Sequence, residues 1–232
     1  MKAPACVKTI VAIRPESACS ATITLGAEMG IPVAGSPLFA VEPVAWSITG
    51  AAYDGLLLGS ANVLRHGGEG LRALTSLPAY CVGETTALAA RDAGFIIAAT
   101  GSGGLQAVLP VAIEKGCTKL LRLSGEAHVP LAQPPGVTID TVTCYRVRDL
   151  PVGNDLAATL RGGAVVMLHS GEAAAHFTAE VDRLGIARSG IAVACLAPRV
   201  AERAGTGWAA LAIAGRTEDR ALLALAAQMC QA

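Results

Sequence analysis

Short apolar runs recur along the chain, and each is followed by a small or polar turn and then by about ten residues of helical periodicity. This is the pattern of a βα unit. In the first unit a strand spans 7–13, Ser17 can cap the helix that follows, and Gly30 ends that helix. Further strands are predicted at 55–58, 79–82, 95–98, 120–123, 164–168, 191–195 and 209–213. The alternation predicts parallel sheets with helices on both faces.

Two stretches interrupt this rhythm, at 36–43 and 137–147, and both are typical of extended connectors. The segment between them has enough strands and helices for one compact α/β domain, whereas the segments outside it must fold together to make a second. We therefore predict an outer domain of 1–36 plus 150–232, an inserted inner domain of 43–136, and linker strands at 37–42 and 137–149. Such a linker suits a ligand cleft that opens and closes.

The composition fits a folded protein and excludes several functions. Hydrophobic residues make up 53% of the chain, and 18 basic residues balance 18 acidic ones, which argues against nucleic-acid or membrane-surface binding. The mean hydropathy is +0.51, but the longest candidate span, 95–113, contains a glycine-rich run and Pro110 and is not a membrane helix. The apolar run after Lys8 is too short for a signal peptide, and the seven cysteines are scattered. We expect a cytoplasmic protein with reduced thiols.

Motifs of the common α/β enzyme classes are absent from the sequence. There is no P-loop and no nucleophile elbow, and the four histidines lack metal-ligand spacing. The glycine-rich run 101–104 follows a strand, but Gln106 stands where a dinucleotide-binding fingerprint needs its last glycine, so a flexible turn is favoured. We therefore expect neither a metal nor a cofactor.

Strand-to-helix turns rich in serine, threonine and glycine are the main candidates for ligand binding. Each turn places free backbone N–H groups at the positive end of a helix dipole, where a carboxylate or phosphate can bind. Taken singly, each turn is an ordinary helix cap, whereas several at one sheet edge would bind a polyanion. The candidate residues are Ser60, Ala61, Asn62, Gly83, Thr85, Thr86, Ser124, Gly125, Ser170 and Gly171.

Two further residues stand out at predicted strand ends. Arg14 precedes Pro15 at the end of the first strand, where it is placed to pair with a ligand carboxylate. Tyr145 falls on the return connector, where a side chain would face a cleft rather than a sheet interior. The alternative is an aromatic side chain that packs on the linker with its hydroxyl in water. The residues alone leave both interpretations open.

In order along the chain, several of these segments resemble the uroporphyrinogen-III synthase family, and the likeness spans nearly the whole chain. The matching segments are Arg14-Pro15, the connector 37–43, the turns within 54–62, 79–87 and 121–126, the tyrosine segment 142–145, and Ser170. The resemblance implies two flavodoxin-like α/β domains joined by a two-stranded linker. It also implies that neither a metal nor an organic cofactor takes part.

The resemblance further implies a substrate and a reaction in haem biosynthesis, catalysed by a lyase. The substrate is hydroxymethylbilane, a linear tetrapyrrole with eight carboxylates, held by backbone amides and small polar side chains. Loss of water from ring A, attack by ring D and rearrangement through a spiro intermediate give uroporphyrinogen III. Tyr145 would assist the departure of the hydroxyl. The chain departs from the family at Arg199-Val200, which replace a threonine pair, and at His128-Val129, where an arginine is missing. Arg199 could still bind a carboxylate.

Two other functions remain open at this point. Arg199 and Val129 would suit a binding or sensor protein of the same fold that holds a polyanionic tetrapyrrole without turnover. A periplasmic-type solute-binding protein also has two lobes and linker strands, but the missing signal peptide argues against it. The main hypothesis is the synthase, with a small polycarboxylate as its partner and no nucleic acid or membrane. Since no heptad stripe is present, a monomer is expected.

Overall fold

The computed structural model describes residues 8–48 and 52–231. Val7, the predicted start of the first strand, lies outside the described residues. The chain divides into two compact units. The outer unit comprises Met1–Ala40 and Asp149–Ala232, and the inner unit comprises Val41–Arg148.

The secondary structure alternates between strands and helices. The strands are β1 (Thr9–Ala12), β2 (Val33–Gly35), β3 (Phe39–Pro43), β4 (Gly55–Leu58), β5 (Ala79–Val82), β6 (Ile97–Gly101), β7 (Lys119–Gly125), β8 (Thr138–Asp149), β9 (Ala164–Leu168), β10 (Ile191–Cys195) and β11 (Ala210–Ile213). The helices are α1 (Ala18–Glu28), α2 (Asn62–His66), α3 (Glu84–Asp92), α4 (Leu105–Glu114), α5 (Asn154–Arg161), α6 (Gly171–Arg183), α7 (Pro198–Ala204) and α8 (Asp219–Gln231). Short 3₁₀ helices span Glu69–Leu74 and Arg188–Gly190.

The outer unit contains a five-stranded parallel sheet in the order β11-β10-β9-β1-β2. Side chains of β9 alternate between two separate cores, because successive residues of a strand point to opposite faces. Val166 packs with Phe177 of α6 on one face, and Met167 packs with Leu222 of α8 on the other. The prediction of a parallel sheet covered by helices on both faces is confirmed.

The inner unit contains a six-stranded sheet in the order β3-β8-β7-β4-β5-β6. The pairs from β8 to β6 are parallel, and the β7–β8 register shifts between Ser124 and Gly125. The amide of Val44 donates to the carbonyl of Cys144, and the amide of Leu150 donates to that of Leu38, so β3 and β8 run antiparallel. Much of the two predicted linker segments thus forms neighbouring strands of this sheet.

The turn at Ser124 and Gly125 differs from its prediction. We expected a helix N-terminus there, but β7 continues through Gly125 and no helix follows before β8. Ser124 pairs with Thr143, Gly125 pairs with Tyr145, and the amide of Glu126 donates to the carbonyl of Tyr145. The prediction that a helix starts at this turn was therefore wrong.

Three smaller expectations also change. Ser17 has a positive φ of 64° and makes no capping hydrogen bond through its side chain, so it does not cap α1. The sixth strand begins at Ile97 rather than at Phe95, whose side chain packs in the core just before it. Of the cysteines that the structure describes, five are free and buried and Cys230 is part of a disulfide, so the expectation of a reduced thiol was wrong for Cys230.

Candidate active site

A pocket of about 360 Å³ lies within the inner unit, where β4 and β7 end and where the glycine-rich turn precedes α4. Four predicted site residues line it together: Ser60, Ser124, Gly125 and Tyr145. Ser60 follows β4, whereas Ser124 and Gly125 are the last residues of β7. This grouping agrees with the rule that ligands bind at the carboxyl ends of parallel strands.

Tyr145 both lines the pocket and belongs to a core cluster. Tyr145 is only 9% exposed, and its side chain packs in the core cluster that contains Leu121 and Leu123. The ring lies over Gly125, and its centroid is 6.4 Å from that of His66. Among the residues that the structure describes, its hydroxyl has no hydrogen-bond partner. Tyr145 thus faces a pocket, but it also packs in the core beside the sheet, which was not expected. Within the described part of the chain, its hydroxyl is free to contact a ligand.

Ser60 closes the turn before α2. Its Oγ accepts a hydrogen bond from the amide of Asn62 at 3.2 Å, which ties up one of the free donors of this short helix. Ala61 is buried, and the Asn62 side chain accepts a hydrogen bond from Arg65 at 3.4 Å. Of these three predicted residues, only Ser60 lines the pocket.

The turn before α3 is a helix N-terminus, as predicted. Gly83 has a φ of 77°, which favours glycine, and it is the N-cap residue. Thr85 is exposed, whereas Thr86 is buried. None of these three residues lines the pocket, although Val82 immediately before them does.

A loop after β7 forms one wall of the pocket. His128 Nδ1 lies 2.9 Å from the carbonyl oxygen of Gly125, so this nitrogen carries the proton and donates. The Gln106 side chain accepts a hydrogen bond from the Ala132 amide at 2.8 Å and donates to the Ala132 carbonyl at 3.3 Å. Gln106, considered above only as a missing glycine, therefore fastens this loop to α4.

Arg122 is a pocket residue that sequence analysis missed. It lies on β7 between Leu121 and Leu123 and is 6% exposed. Its Nη1 donates to the carbonyl of Val129 at 2.8 Å, while its Nε is buried without a partner. The signal was present in the sequence, because a charged residue interrupts the apolar run of Leu120, Leu121 and Leu123.

In the outer unit, Arg14 is already paired with an acidic residue of the chain. Its Nη1 forms a salt bridge with Asp219 and donates to Thr22 Oγ1 at 3.2 Å. His169 lies beside this pair, with its Nε2 at 3.6 Å from Asp219 Oδ1. Burial and the nearby Arg14 charge lower the pKa of His169 to about 4. The imidazole is therefore neutral at physiological pH.

The other outer-unit residues lie at helix starts, as the sequence predicts. Ser170 is the N-cap of α6, and its Oγ accepts a hydrogen bond from the Ala173 amide at 3.1 Å. Gly171 is the first residue of that helix. Arg199 is exposed in the first turn of α7.

Metal-binding clusters and membrane-spanning helices are both absent from residues 8–48 and 52–231. No group of three or more histidine, cysteine, aspartate or glutamate side chains could hold a metal ion there. Within the same ranges, every helix is too short or too polar to cross a bilayer.

Comparison with known proteins identifies a family that the sequence matches. Residues 20–224 match the family model described as uroporphyrinogen-III synthase HemD. The crystal structure of uroporphyrinogen-III synthetase from Helicobacter pylori 26695 is similar, with a TM-score of 0.61 at 14% identity over 96% of this chain and 99% of that one. A mutant uroporphyrinogen III synthase from the extremely thermophilic bacterium Thermus thermophilus has a TM-score of 0.49 at 15% identity, over 96% and 98% of the two chains.

A search of curated proteins finds no match. The Helicobacter likeness shows the fold, and the family match covers most of the sequence. The chain belongs to the uroporphyrinogen-III synthase family.

Proposed function

We propose that this chain closes hydroxymethylbilane to uroporphyrinogen III, with inversion of ring D and loss of water, in haem biosynthesis. Membership of the family supports the reaction. The observation that carries the proposal is the pocket that Tyr145 lines. It brings together a phenol without a hydrogen-bond partner in the described part of the chain and hydroxyl groups at the ends of two parallel strands. The substrate supplies eight carboxylates, which such a polar edge can bind.

In this proposal Tyr145 gives its proton to the ring A hydroxyl group as the carbon–oxygen bond breaks. Water leaves, and the remaining carbon is attacked by the substituted carbon of ring D to form the spiro intermediate. The ring D linkage then migrates, and the proton that the substrate releases on closure returns to the tyrosine oxygen. A positioned proton donor typically contributes about 10²-fold to 10⁴-fold in rate.

The choice of the type III isomer over the type I isomer depends on how the protein positions the two ends of the substrate. Unaided closure gives the uninverted isomer, so the protein must hold the two ends of the tetrapyrrole in the geometry of the spiro pathway. Rigid elements are suited to this, and Ser60, Ser124 and Tyr145 all lie on or next to strands of one sheet. The proposed substrate contacts in the outer unit are Ser170, Gly171 and Arg199.

Isomer analysis tests the proposal directly. Purified protein is given freshly generated hydroxymethylbilane, the products are oxidised, and the type I and type III uroporphyrins are separated by chromatography. We expect type III to dominate. A type I peak equal to that of the control without protein would contradict the proposal and would leave a binding protein as the function.

We further propose that the enzyme is a lyase that needs no metal or organic cofactor, as its family resemblance implies, and that it acts as a cytoplasmic monomer. Activity should survive exhaustive dialysis against a chelator, and light scattering should give the mass of one chain. Loss of activity that a metal ion restores would contradict cofactor independence.

A further inference from the structure

Arg122 is a buried cation for which the structure provides no acidic partner. It is 6% exposed, and no aspartate or glutamate forms an ion pair with it in the described part of the chain. Burial lowers the pKa of its guanidinium, which still stays protonated at neutral pH. Burying a charge without a counter-ion costs free energy. A bound anion would offset this cost for Arg122.

Two guanidinium nitrogens of Arg122, which share one edge, have no hydrogen-bond partner among the described residues. Nη1 is occupied by the Val129 carbonyl at 2.8 Å. Nε has no partner and is shielded from solvent. Nη2 also has no partner among the described residues, but it is not shielded. The Nε–Nη2 edge is one of the edges that can donate two parallel hydrogen bonds to a carboxylate.

The surroundings of Arg122 favour an anion. The lining of the pocket among the described residues includes Arg122 but no aspartate or glutamate. Ser124 follows two residues later on the same strand and so points to the same face, where its Oγ can donate to a second ligand oxygen. The volume of about 360 Å³ far exceeds the roughly 15 Å³ that one water needs.

We propose that Arg122 binds one carboxylate of the tetrapyrrole inside this pocket, through its Nε–Nη2 edge, and that Ser124 is a second donor to the same group. The identity of the ligand rests on the proposed function, whereas the preference for a carboxylate rests on the unpartnered guanidinium. Because the same arginine holds the Val129 carbonyl, an occupied site also stabilises the loop that forms the pocket wall.

Binding of uroporphyrin III, the stable oxidised octacarboxylate, tests the inference separately from catalysis. In a fluorescence titration, Arg122→Met should raise the Kd about ten-fold or more, and Arg122→Lys should raise it less because the charge remains. The matched control is Arg72→Met, at an exposed arginine paired with Glu69, which should leave the Kd unchanged. Thermal unfolding of the free proteins should show no loss of stability in Arg122→Met, since the variant removes a buried unpaired charge.

A second measurement observes ligand binding to the wild-type chain. In chain labelled with ¹⁵N-arginine, the shielded Nε–H signal of Arg122 should shift when uroporphyrin III is added; the Arg122→Lys spectrum serves only to assign it. An unmoved signal, or an unchanged Kd in Arg122→Met, would overturn the inference even if the wild type makes type III product. Arginine-dependent binding by a protein that leaves the isomer ratio unchanged would instead overturn the proposed function alone.

Discussion

Gly125 and Tyr145 pair across β7 and β8 so closely that a Cβ atom on Gly125 would lie 2.7 Å from both Cε2 and Cζ of the tyrosine ring. It would also lie 3.0 Å from the hydroxyl oxygen. Real Cβ atoms do not approach other atoms that closely, so the ring or the strand would have to move. The glycine therefore determines where the phenol sits.

The variant Gly125→Ala should lower turnover by about ten-fold or more, because a displaced proton donor loses its alignment with the leaving hydroxyl. The measurement is the rate of type III product formation, with thermal unfolding as a check on folding. Gly215→Ala is the matched control, since nothing lies within 4 Å of a Cβ atom there. Equal rates for both variants would show that the tyrosine position is not critical.

The variant Tyr145→Phe should fold as the wild type does and lose activity about ten-fold or more. Its stability should change little, because the removed hydroxyl has no partner in the described part of the chain. Turnover and the Tm together test this. Tyr53→Phe, which removes a hydroxyl that donates to Asp140 outside the pocket, should instead retain activity. Full activity in Tyr145→Phe would remove this residue from the mechanism.

The variant Gln106→Ala should loosen the pocket loop. Both hydrogen bonds between the Gln106 side chain and Ala132 are lost, and each contributes only about 1 kcal/mol. We therefore expect faster amide hydrogen exchange in residues 127–132, a higher KM, and a Tm that is lower by about a few degrees. Gln133→Ala, in the same loop, is the control. Unchanged exchange would show that other contacts hold the loop.

The buried His169 should make the protein less stable in mild acid. Its folded pKa of about 4 lies below the ordinary value of 6.5, so the unfolded chain binds a proton first as the pH falls. Its contribution to the free energy of unfolding is complete above about pH 6.5 and is lost toward pH 4, by at most about 1.4 kcal/mol for each pH unit.

Denaturant unfolding at several pH values between 4 and 7 tests this effect. The difference in free energy of unfolding between wild type and His169→Phe should shift in favour of the variant as the pH falls. A difference that does not depend on pH would mean that His169 titrates normally in the folded protein.

The sequence alone determined the class of fold and the order of its elements. Runs such as 164–168 consist of apolar residues only, and a strand of this kind must be covered on both faces, which requires a parallel sheet between helices. The turns at Gly83 and Ser170 were also predictable, because a helix start depends on a few adjacent residues. The family likeness could likewise be recognised from short segments in order.

The tertiary structure decided what depends on partners far along the chain. Ser124 and Gly125 read locally as a helix start, but their backbone groups pair with β8. The sequence predicted that Arg14 contacts a ligand, whereas in the structure it forms a salt bridge with Asp219, which is 205 positions away. Arg122 and Tyr145 are 23 positions apart in the sequence, and only the fold brings them into one pocket. A helix start depends on hydrogen bonds between neighbouring residues, so the local sequence predicts it. Strand register and ion pairs depend on residues that are far apart in the sequence, so they are decided only when the whole chain packs.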